Sequence, residues 1–374
     1  MAADDPTPEV PLPPDFVEAE APVLRAPKRR GSPRTDHRSK PYSRRRIFQY
    51  INLFLALALT LSGAAFAWGI SEFNAPGPSV LAQTIDLPRG AGLRGIAQRL
   101  QAAGVLRYAK VFGLAVRVSG KGRALKAGEY TFAAAISGRQ VMELLIKGDT
   151  VVHRLTIAEG LQTAQILAQI AAAPALNGAL LPDDAPLPPQ GTLLPETYHF
   201  ARGDSRADLI ARMQRDQTRV LADAWASRVP GLPFKTPEEA LVLASIVEKE
   251  TSLPAERRHV AGVFVNRLRR GMRLQSDPTV VFALSPDGPL GRALTRADLK
   301  VAHPANTYAN KGLPPGPICH PGRAAIEAVL NPAATDDLYF VADGTGGHVF
   351  ATTLAGHNAN VAKWRKLERA RKAD

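Results

Sequence analysis

An uncharged apolar segment near the N-terminus constrains this chain more than any other feature of its sequence. The segment runs for 24 residues, from Ile47 to Ile70, without one Asp, Glu, Lys or Arg. At about 1.5 Å of rise per helical residue, it is long enough to cross a hydrocarbon core of roughly 30 Å. A cleaved signal peptide is the alternative, but the segment and the tail before it are both too long for one. The sequence therefore predicts a single transmembrane helix over residues 47–70.

The charges beside this segment predict its orientation. Three arginines, Arg44 to Arg46, directly precede it, whereas residues 71–88 carry Glu72 and Asp86 and no Lys or Arg. Positive charge favours the cytoplasmic side, so the N-terminus is expected in the cytoplasm and the rest of the chain beyond the membrane. Residues 1–46 are rich in Pro, Arg, Ser and Asp, which predicts a disordered cytoplasmic tail.

Composition narrows the possible partners. Of the net charge of +13, residues 1–46 contribute +3, from ten Lys/Arg and seven Asp/Glu, and the remainder contributes +10. Neither part contains a dense block of nucleic-acid type, so nucleic acid is not an expected partner. Two explanations of the excess positive charge stay open: an ordinary solvated surface, and attraction to anionic lipid or an anionic polymer. The single cysteine, Cys319, excludes an intrachain disulfide, and no Cys/His cluster has zinc spacing, so no metal is expected.

A linker over residues 71–79 is followed by a small module over residues 80–148. Residues 90–104 have apolar side chains at helical spacing, residues 126–132 suit a turn and a strand, and residues 137–147 suit a capped helix. This combination is similar to a LysM-type glycan-binding module. A plain packing or stalk domain is the alternative.

A larger module follows over residues 150–370. A strand is predicted over residues 153–157 and a Pro-rich loop over residues 175–190. The predicted helices cover residues 163–173, residues 204–227 and a segment that begins at Pro237. The fold class is therefore α+β, with one N-terminal transmembrane helix, a small LysM-like module and a larger mixed α/β catalytic domain.

The helix that begins at Pro237 is the most informative element. Thr236 can cap it, Pro237 suits the first helical position, and Glu239 follows three residues after the cap. The sequence that follows, ALVLASIVEKETS, is apolar nearly all round, which predicts a buried central helix. Glu248 and Glu250 near its end point about 160° apart, so they cannot serve one site together.

Glu250 extends the most apolar stripe of this helix, which consists of Leu243, Ile246 and Val247. Burial removes hydration from a carboxylate and raises its pKa, which keeps the proton that a general acid needs near neutral pH. The alternative is a helix-end carboxylate that lies in water or pairs with an arginine. The arginines available for such a pair are Arg257, Arg258 and Arg267.

Several stretches of sequence in the larger module resemble those of a known protein family. A long one begins at Ala244 and reads ASIVEKETSLPAERRHVAGVFVNRLRRGMRLQSDPTVV. The others are LPETY at residues 194–198, HPANTY at 303–308, GLPPGPI at 312–318, PG at 321–322 and LYFVADG at 338–344. Together they resemble the YceG-like endolytic murein transglycosylase family, also called MltG. The family layout of cytoplasmic tail, one transmembrane helix, LysM-like module and catalytic domain also matches.

The resemblance implies an enzyme of the bacterial inner membrane that cleaves the MurNAc–GlcNAc bond inside nascent peptidoglycan strands. Family enzymes use one Glu of the Glu-Lys-Glu-Thr string, and the second Glu of that string falls on Glu250. The sugar's own C6 hydroxyl attacks and leaves a 1,6-anhydro end, so one residue serves as acid and then base. No metal or cofactor is implied. The family is tied to ending strand elongation, which makes peptidoglycan synthases possible partners.

Other side chains in these strings are expected to shape the glycan groove. The candidates for substrate binding are Glu196, Tyr198, Asn266, Arg267, Gln275, Ser276, Asp277, Thr279, Asn306, Thr307, Tyr308 and His348. Structural roles stay open for several of them. Arg267 and Asp277 could form an ion pair, Tyr198 and Tyr308 could pack in the core, and His348 could be a structural histidine.

Two positions depart from the family pattern. Ala305 stands where an aromatic residue is usual and His320 where Asn is usual. Both bear on the shape of the groove, and neither touches Glu250. Two other functions stay open: a non-catalytic peptidoglycan-binding scaffold, and a glycan hydrolase in which Asp277 or Glu196 supplies a second carboxylate.

Overall fold

The first element of the fold is a long apolar helix. The computed structural model describes residues 44–373, so the predicted disordered tail lies outside the described residues except for its last three. Those three arginines form the first turn of α1, Arg44–Asn74, which has 31 residues. Among the described residues, α1 is the one helix long and apolar enough to cross a membrane. The first four residues of the predicted linker are helical, because nothing opposes a helix before Pro76.

The small module follows as strand, two helices, strand and helix. Its elements are β1 (Gln83–Leu87), α2 (Leu93–Ala102), α3 (Ala109–Val118), β2 (Gly128–Phe132) and α4 (Gly138–Lys147). The two strands pair antiparallel, with Ile85 opposite Tyr130. Between them and the helices lies a separate apolar core that includes Leu100, Phe112 and Leu145.

Local sequence explains most boundaries of this module. Ser137 caps α4 through a capping box with Gln140, and Gly148 closes the helix in a left-handed conformation, with φ of +80°. The sequence did not predict α3. Its glycine and valines are weak helix formers, so α3 depends on packing by its buried side chains Phe112 and Val116.

The larger module is mostly helical and carries three small sheets. Its first elements are β3 (Val152–Thr156), α5 (Thr163–Ala172), β4 (Leu176–Asn177), β5 (Thr197–Ala201), β6 (Asp204–Ser205) and α6 (Arg206–Ala226). Its later elements are α7 (Pro237–Glu250), α8 (Pro254–Arg269), α9 (Asp277–Leu284), α10 (Arg323–Leu330), β7 (Tyr339–Ala342), β8 (His348–Ala351) and α11 (Leu354–Ala373). β3 pairs antiparallel with β5, β7 pairs antiparallel with β8, and the short β4 and β6 run parallel. The predicted loop over residues 175–190 therefore contains the short strand β4.

α7 is the central helix of this module, as its sequence predicts. Thr236 accepts a hydrogen bond from the Glu239 backbone N–H, and Pro237 occupies the first turn. Eight consecutive residues, Ala240 to Val247, are buried, and α6, α8 and α10 pack around them. The sides of α7 are covered by other helices. Its polar residues Glu248 and Glu250 lie at the C-terminal end, which is therefore the candidate for a reactive site.

A glycine in α8 tests this packing. A Cβ added to Gly262 would lie 2.7 Å from the Ala333 carbonyl oxygen, so we expect Gly262→Ala to destabilise the fold by about 1–3 kcal/mol. Gly113 in α3 is the matched control because open space surrounds it, and alanine there favours the helix by up to about 1 kcal/mol. Urea unfolding in detergent measures both. Equal effects of the two substitutions would contradict the packing described.

Candidate active site

Glu250 is the last residue of α7 and stands at the centre of a polar cluster. Thr251 leaves the helical conformation, and Pro254 begins α8 three residues after it. Glu250 is partly buried, and its Oε1 accepts a hydrogen bond of 2.5 Å from the Ser276 hydroxyl. The carboxyl group therefore meets the sequence segment that precedes α9 and does not extend into bulk solvent.

The surroundings of Glu250 favour its protonated form. Burial raises its pKa from 4.5 to about 7, and the negative charge of Asp277 adds to the rise. The Ser276 hydrogen bond and the positive charges of His348 and Arg267 oppose it. Because burial outweighs these opposing effects, about half of the molecules carry the proton at neutral pH.

The arginines that could have neutralised Glu250 are engaged elsewhere. Arg257 lies 3.9 Å from both Glu159 and Glu248, and Arg258 binds Asn331. In the part of the chain that the structure describes, no basic side chain lies within 4.0 Å of the Glu250 carboxylate. The ion-pair alternative for Glu250 is therefore wrong.

Glu248 lies on the other side of α7 and has a structural role. Its Oε2 accepts a 3.0 Å hydrogen bond from the backbone N–H of Gly322, the N-cap residue of α10. Burial raises its pKa, while the Gly322 bond and the Arg257 charge lower it. Two carboxylates two residues apart thus serve different neighbours, as helical geometry predicts.

Buried hydroxyl groups fix the position of Ser276. Its backbone N–H donates to Thr307 Oγ1 at 2.9 Å, and its carbonyl accepts from Thr279 Oγ1 at 2.6 Å. The two threonine hydroxyls also lie 2.9 Å apart. All three residues are almost fully buried, so Thr279 and Thr307 hold Ser276 in position and expose almost no surface of their own.

Asp277 and Tyr308 form the exposed edge of the cluster. The Tyr308 hydroxyl donates to Asp277 at 2.6 Å, and burial together with this carboxylate raises the Tyr308 pKa. Asn306 is fully buried and shapes the Tyr308 loop. Its amide N–H groups donate to the carbonyls of Leu299 and Val301, and its Oδ1 accepts from the Tyr308 backbone N–H. Tyr308 therefore forms one side of the site, and its hydrogen bonds with Asp277 and Asn306 hold it in place.

Arg267, Asn266 and His348 support the site from α8 and β8. Buried Arg267 donates to the carbonyls of Leu338 and Leu274, at 2.6 Å each, so the alternative of an ion pair with Asp277 is wrong. Asn266 donates to two carbonyls of the loop before β7. His348 Nδ1 lies 2.8 Å from Glu256, which also accepts from the His348 backbone N–H.

Of the remaining predicted residues, Tyr198 and Glu196 lie outside this cluster. Tyr198 is buried in a separate core, with its hydroxyl donating to the Leu194 carbonyl, and burial raises its pKa. Glu196 is exposed and accepts from its neighbour's backbone N–H. Among the residues that can be described, neither makes a hydrogen bond or ion pair with Glu250. Gln275 is exposed next to Ser276, with a φ of +51°.

The two departures from the family pattern lie in the interior. His320 is fully buried. Its Nδ1 accepts from the Leu193 backbone N–H at 3.0 Å and its Nε2 lies 2.9 Å from the Thr163 hydroxyl. Burial lowers its pKa to about 4, so it is a neutral structural group. Ala305 is also buried.

Sequence reasoning missed a groove beside the cluster. A cavity of about 630 Å³ is lined by Lys249, Asp277 and residues 159–162 of the segment before α5. Its other lining side chains include Gln165, Val281 and Phe282. No local pattern marks these residues, because chain segments far apart in sequence meet only in the fold. No three His, Cys, Asp or Glu side chains among residues 44–373 are placed to hold a metal ion.

Fold and site together define a mixed α/β protein with a long apolar helix ahead of its strands and, at the end of a buried helix, a carboxyl group whose pKa is raised to about 7. Residues 85–363 match the model of the YceG-like family. The chain belongs to the YceG-like family, because this match covers well over half of it.

Two named relatives agree with this placement. The chain is 31% identical over 330 residues to an endolytic murein transglycosylase of Bacillus subtilis, which covers 81% of this chain and 90% of the relative. It is also 31% identical over 325 residues to an endolytic murein transglycosylase of Streptococcus pneumoniae serotype 2, which covers 75% of this chain and 58% of that longer relative. A crystal structure of a yceG-like protein from Listeria monocytogenes shares 32% identity over 75% of this chain and 99% of that chain, with a TM-score of 0.46.

Proposed function

We infer that this chain is an endolytic murein transglycosylase in which Glu250 is the general acid and base. Family membership and the relatives of that name support the activity. One observation supports Glu250 above all: its carboxyl group is buried beside Ser276 and Asp277 and has a pKa of about 7. A group that is half protonated at neutral pH can both donate and accept a proton there.

The reaction needs one carboxyl group and no water. Glu250 donates its proton to the glycosidic oxygen while the bond from that oxygen to C1 of MurNAc breaks, and GlcNAc leaves as the alcohol. The C6 hydroxyl of the same MurNAc bonds to C1 and gives its proton to the Glu250 carboxylate. Atoms and charges balance, Glu250 returns to its acid form, and the product carries a 1,6-anhydro ring.

The groove beside Lys249 and Asp277 is the proposed path of the glycan strand. It has both apolar and polar walls, as a strand of N-acetylated sugars requires. Tyr308 at the edge of the cluster and Gln275 next to Ser276 both have exposed surface, and they are the side chains that we expect to contact sugar. Thr279, Thr307, Asn306 and Arg267 act through the residues they hold.

Neighbours of Glu250 tune the pH dependence in opposite directions. Asp277→Asn removes a negative charge that raises the Glu250 pKa, so the alkaline fall of kcat/KM should move down by about one pH unit. Ser276→Ala removes a hydrogen bond that lowers that pKa, so the fall should move up by a similar amount. Turnover of isolated glycan strands between pH 5 and 9 measures both. Shifts of the same sign would contradict the assignment.

The larger assembly is proposed on the same basis. Residues 80–148 would form a LysM-like glycan-binding module, supported by the β1-α2-α3-β2 order with antiparallel strands. Residues 150–370 would form the catalytic domain on the periplasmic side, with the N-terminus in the cytoplasm. An enzyme anchored there would end the elongation of nascent strands next to the synthases that make them.

Product analysis tests the function. Purified peptidoglycan is digested with the full chain in detergent, and the glycan ends are identified by mass spectrometry. We expect 1,6-anhydro ends that arise from cleavage within the glycan strands. New reducing ends in their place would indicate a hydrolase with two carboxylates, and their loss in Asp277→Asn or Glu196→Gln would name the second one. No cleavage by the folded chain would favour the scaffold.

A further inference from the structure

The excess positive charge of the chain is concentrated in the small module. Residues 75–148 contain eleven Lys/Arg and three Asp/Glu, which gives +8 of the chain's +13. Between Asp86 and Glu129 there are nine basic side chains and no acidic one. α2 and α3 lie wholly within this stretch. The positive charge is therefore much less evenly spread along the chain than the comparison of residues 1–46 with the remainder indicated.

One face of α2 and α3 combines these charges with exposed apolar side chains. On α3, Lys110, Leu114, Arg117 and Val118 share one helical face, and Leu114 and Val118 are 62% and 71% exposed. Arg94 on α2 lines a shallow cavity with Lys110, Leu114 and Arg117. Among the residues that the structure describes, no Asp or Glu lines this cavity. We define the α2–α3 face as these five side chains.

Two aromatic contacts join the same module to the end of the apolar segment. The ring of Trp68, two residues before that segment ends at Ile70, lies 5.5 Å from the ring of Tyr108, the residue before α3. Phe73 lies 6.2 Å from Phe112. Trp and Tyr are enriched where a membrane helix meets the headgroups. Residues at the start of α3 therefore contact the last residues of the predicted span and those just after it.

We propose that the α2–α3 face rests on anionic phospholipid headgroups of the membrane in which α1 is anchored. Basic side chains beside exposed leucine and valine are the pattern of an interfacial helix, in which the cations meet phosphates and the apolar side chains enter the acyl boundary. A polar glycan would leave Leu114 and Val118 without apolar contact. Contact with the bilayer would hold the module against the membrane surface whether or not Glu250 is catalytic.

Depth-dependent quenching in nanodiscs tests the contact. The full chain carries a fluorophore on Leu114→Cys, and buried Cys319 is not expected to react. Nanodiscs contain phosphatidylcholine alone or about three parts of it to one of phosphatidylglycerol, with a nitroxide on some headgroups. We expect at least about twofold stronger quenching with the anionic lipid. A label on Leu187→Cys, exposed in a loop of the larger module, is the control.

Charge reversal provides the second arm. Lys110→Glu with Arg117→Glu should weaken lipid contact about tenfold or more, since each basic side chain near an anionic bilayer favours contact about fivefold. Lys363→Glu with Arg365→Glu on α11 changes the net charge equally and should leave quenching at position 114 unchanged. Equal quenching at positions 114 and 187, no response to the anionic lipid, or protection of position 114 by soluble glycan strands in neutral nanodiscs would overturn the proposal.

Discussion

Glu250→Gln is expected to lower the formation of anhydro ends by about 10²–10⁴-fold, the usual contribution of a general acid or base. Glutamine keeps the shape of the side chain and can still accept the Ser276 hydrogen bond. What it lacks is the proton for the glycosidic oxygen and the carboxylate for the C6 hydroxyl. Anhydro-muropeptides released per unit time from purified peptidoglycan, quantified by mass spectrometry, measure the effect.

The control for this substitution is Glu196→Gln, which changes the same functional group at an exposed position outside the cluster. It should retain near wild-type turnover. Strand binding by Glu250→Gln should also persist, because the groove is unchanged. Anhydro products that persist at the wild-type rate in Glu250→Gln would remove Glu250 from its role.

The same substitution should stabilise the protein in alkaline solution. The rise of the Glu250 pKa from 4.5 to about 7 corresponds to about 3 kcal/mol in the free energy of unfolding. A carboxyl group whose folded pKa is raised keeps its full contribution below the unfolded pKa and loses it as pH rises through the folded pKa. Glu250→Gln should therefore be more stable than the wild type by about 3 kcal/mol near pH 8 and by less than about 1 kcal/mol near pH 5.

Urea unfolding of the two proteins at both pH values measures this difference. His320, whose pKa is lowered, destabilises the fold as pH falls below about 6.5 toward 4, but it does so equally in both proteins and cancels. Glu196→Gln, which lies outside the cluster, is the control variant. A difference between Glu250→Gln and the wild type that does not change with pH would contradict the raised pKa.

Sequence reasoning succeeded where the determining interactions are local. The uncharged segment predicted both ends of the long first helix to within a few residues. The cap at Thr236 and the apolar stripe of α7 placed Glu250 at the end of a buried helix, because helical periodicity extends over a single element. The sequence also separated Glu248 from Glu250 on angular grounds alone, and the two carboxylates do face different neighbours.

The sequence says less where polar residues satisfy one another inside the fold. Thr279, Thr307 and Asn306 were expected to bind sugar, but their hydrogen bonds go to Ser276 and to loop carbonyls. A buried polar group must find a partner, and a sequence string does not say whether that partner is a ligand or the chain itself. The partner of His348, Glu256, lies 92 residues away, beyond any local pattern.

The most direct test of the central claim is the titration of the Glu250 carboxyl group itself. The protein carries ¹³C-labelled glutamate side chains, and the Glu250 carbon resonance is assigned by its absence in Glu250→Gln. NMR spectra between pH 4 and 9 then follow its protonation. We predict a midpoint at about pH 7. A midpoint near 4.5, the value of an ordinary glutamate, would contradict the claim that this site keeps a proton ready for the glycosidic oxygen.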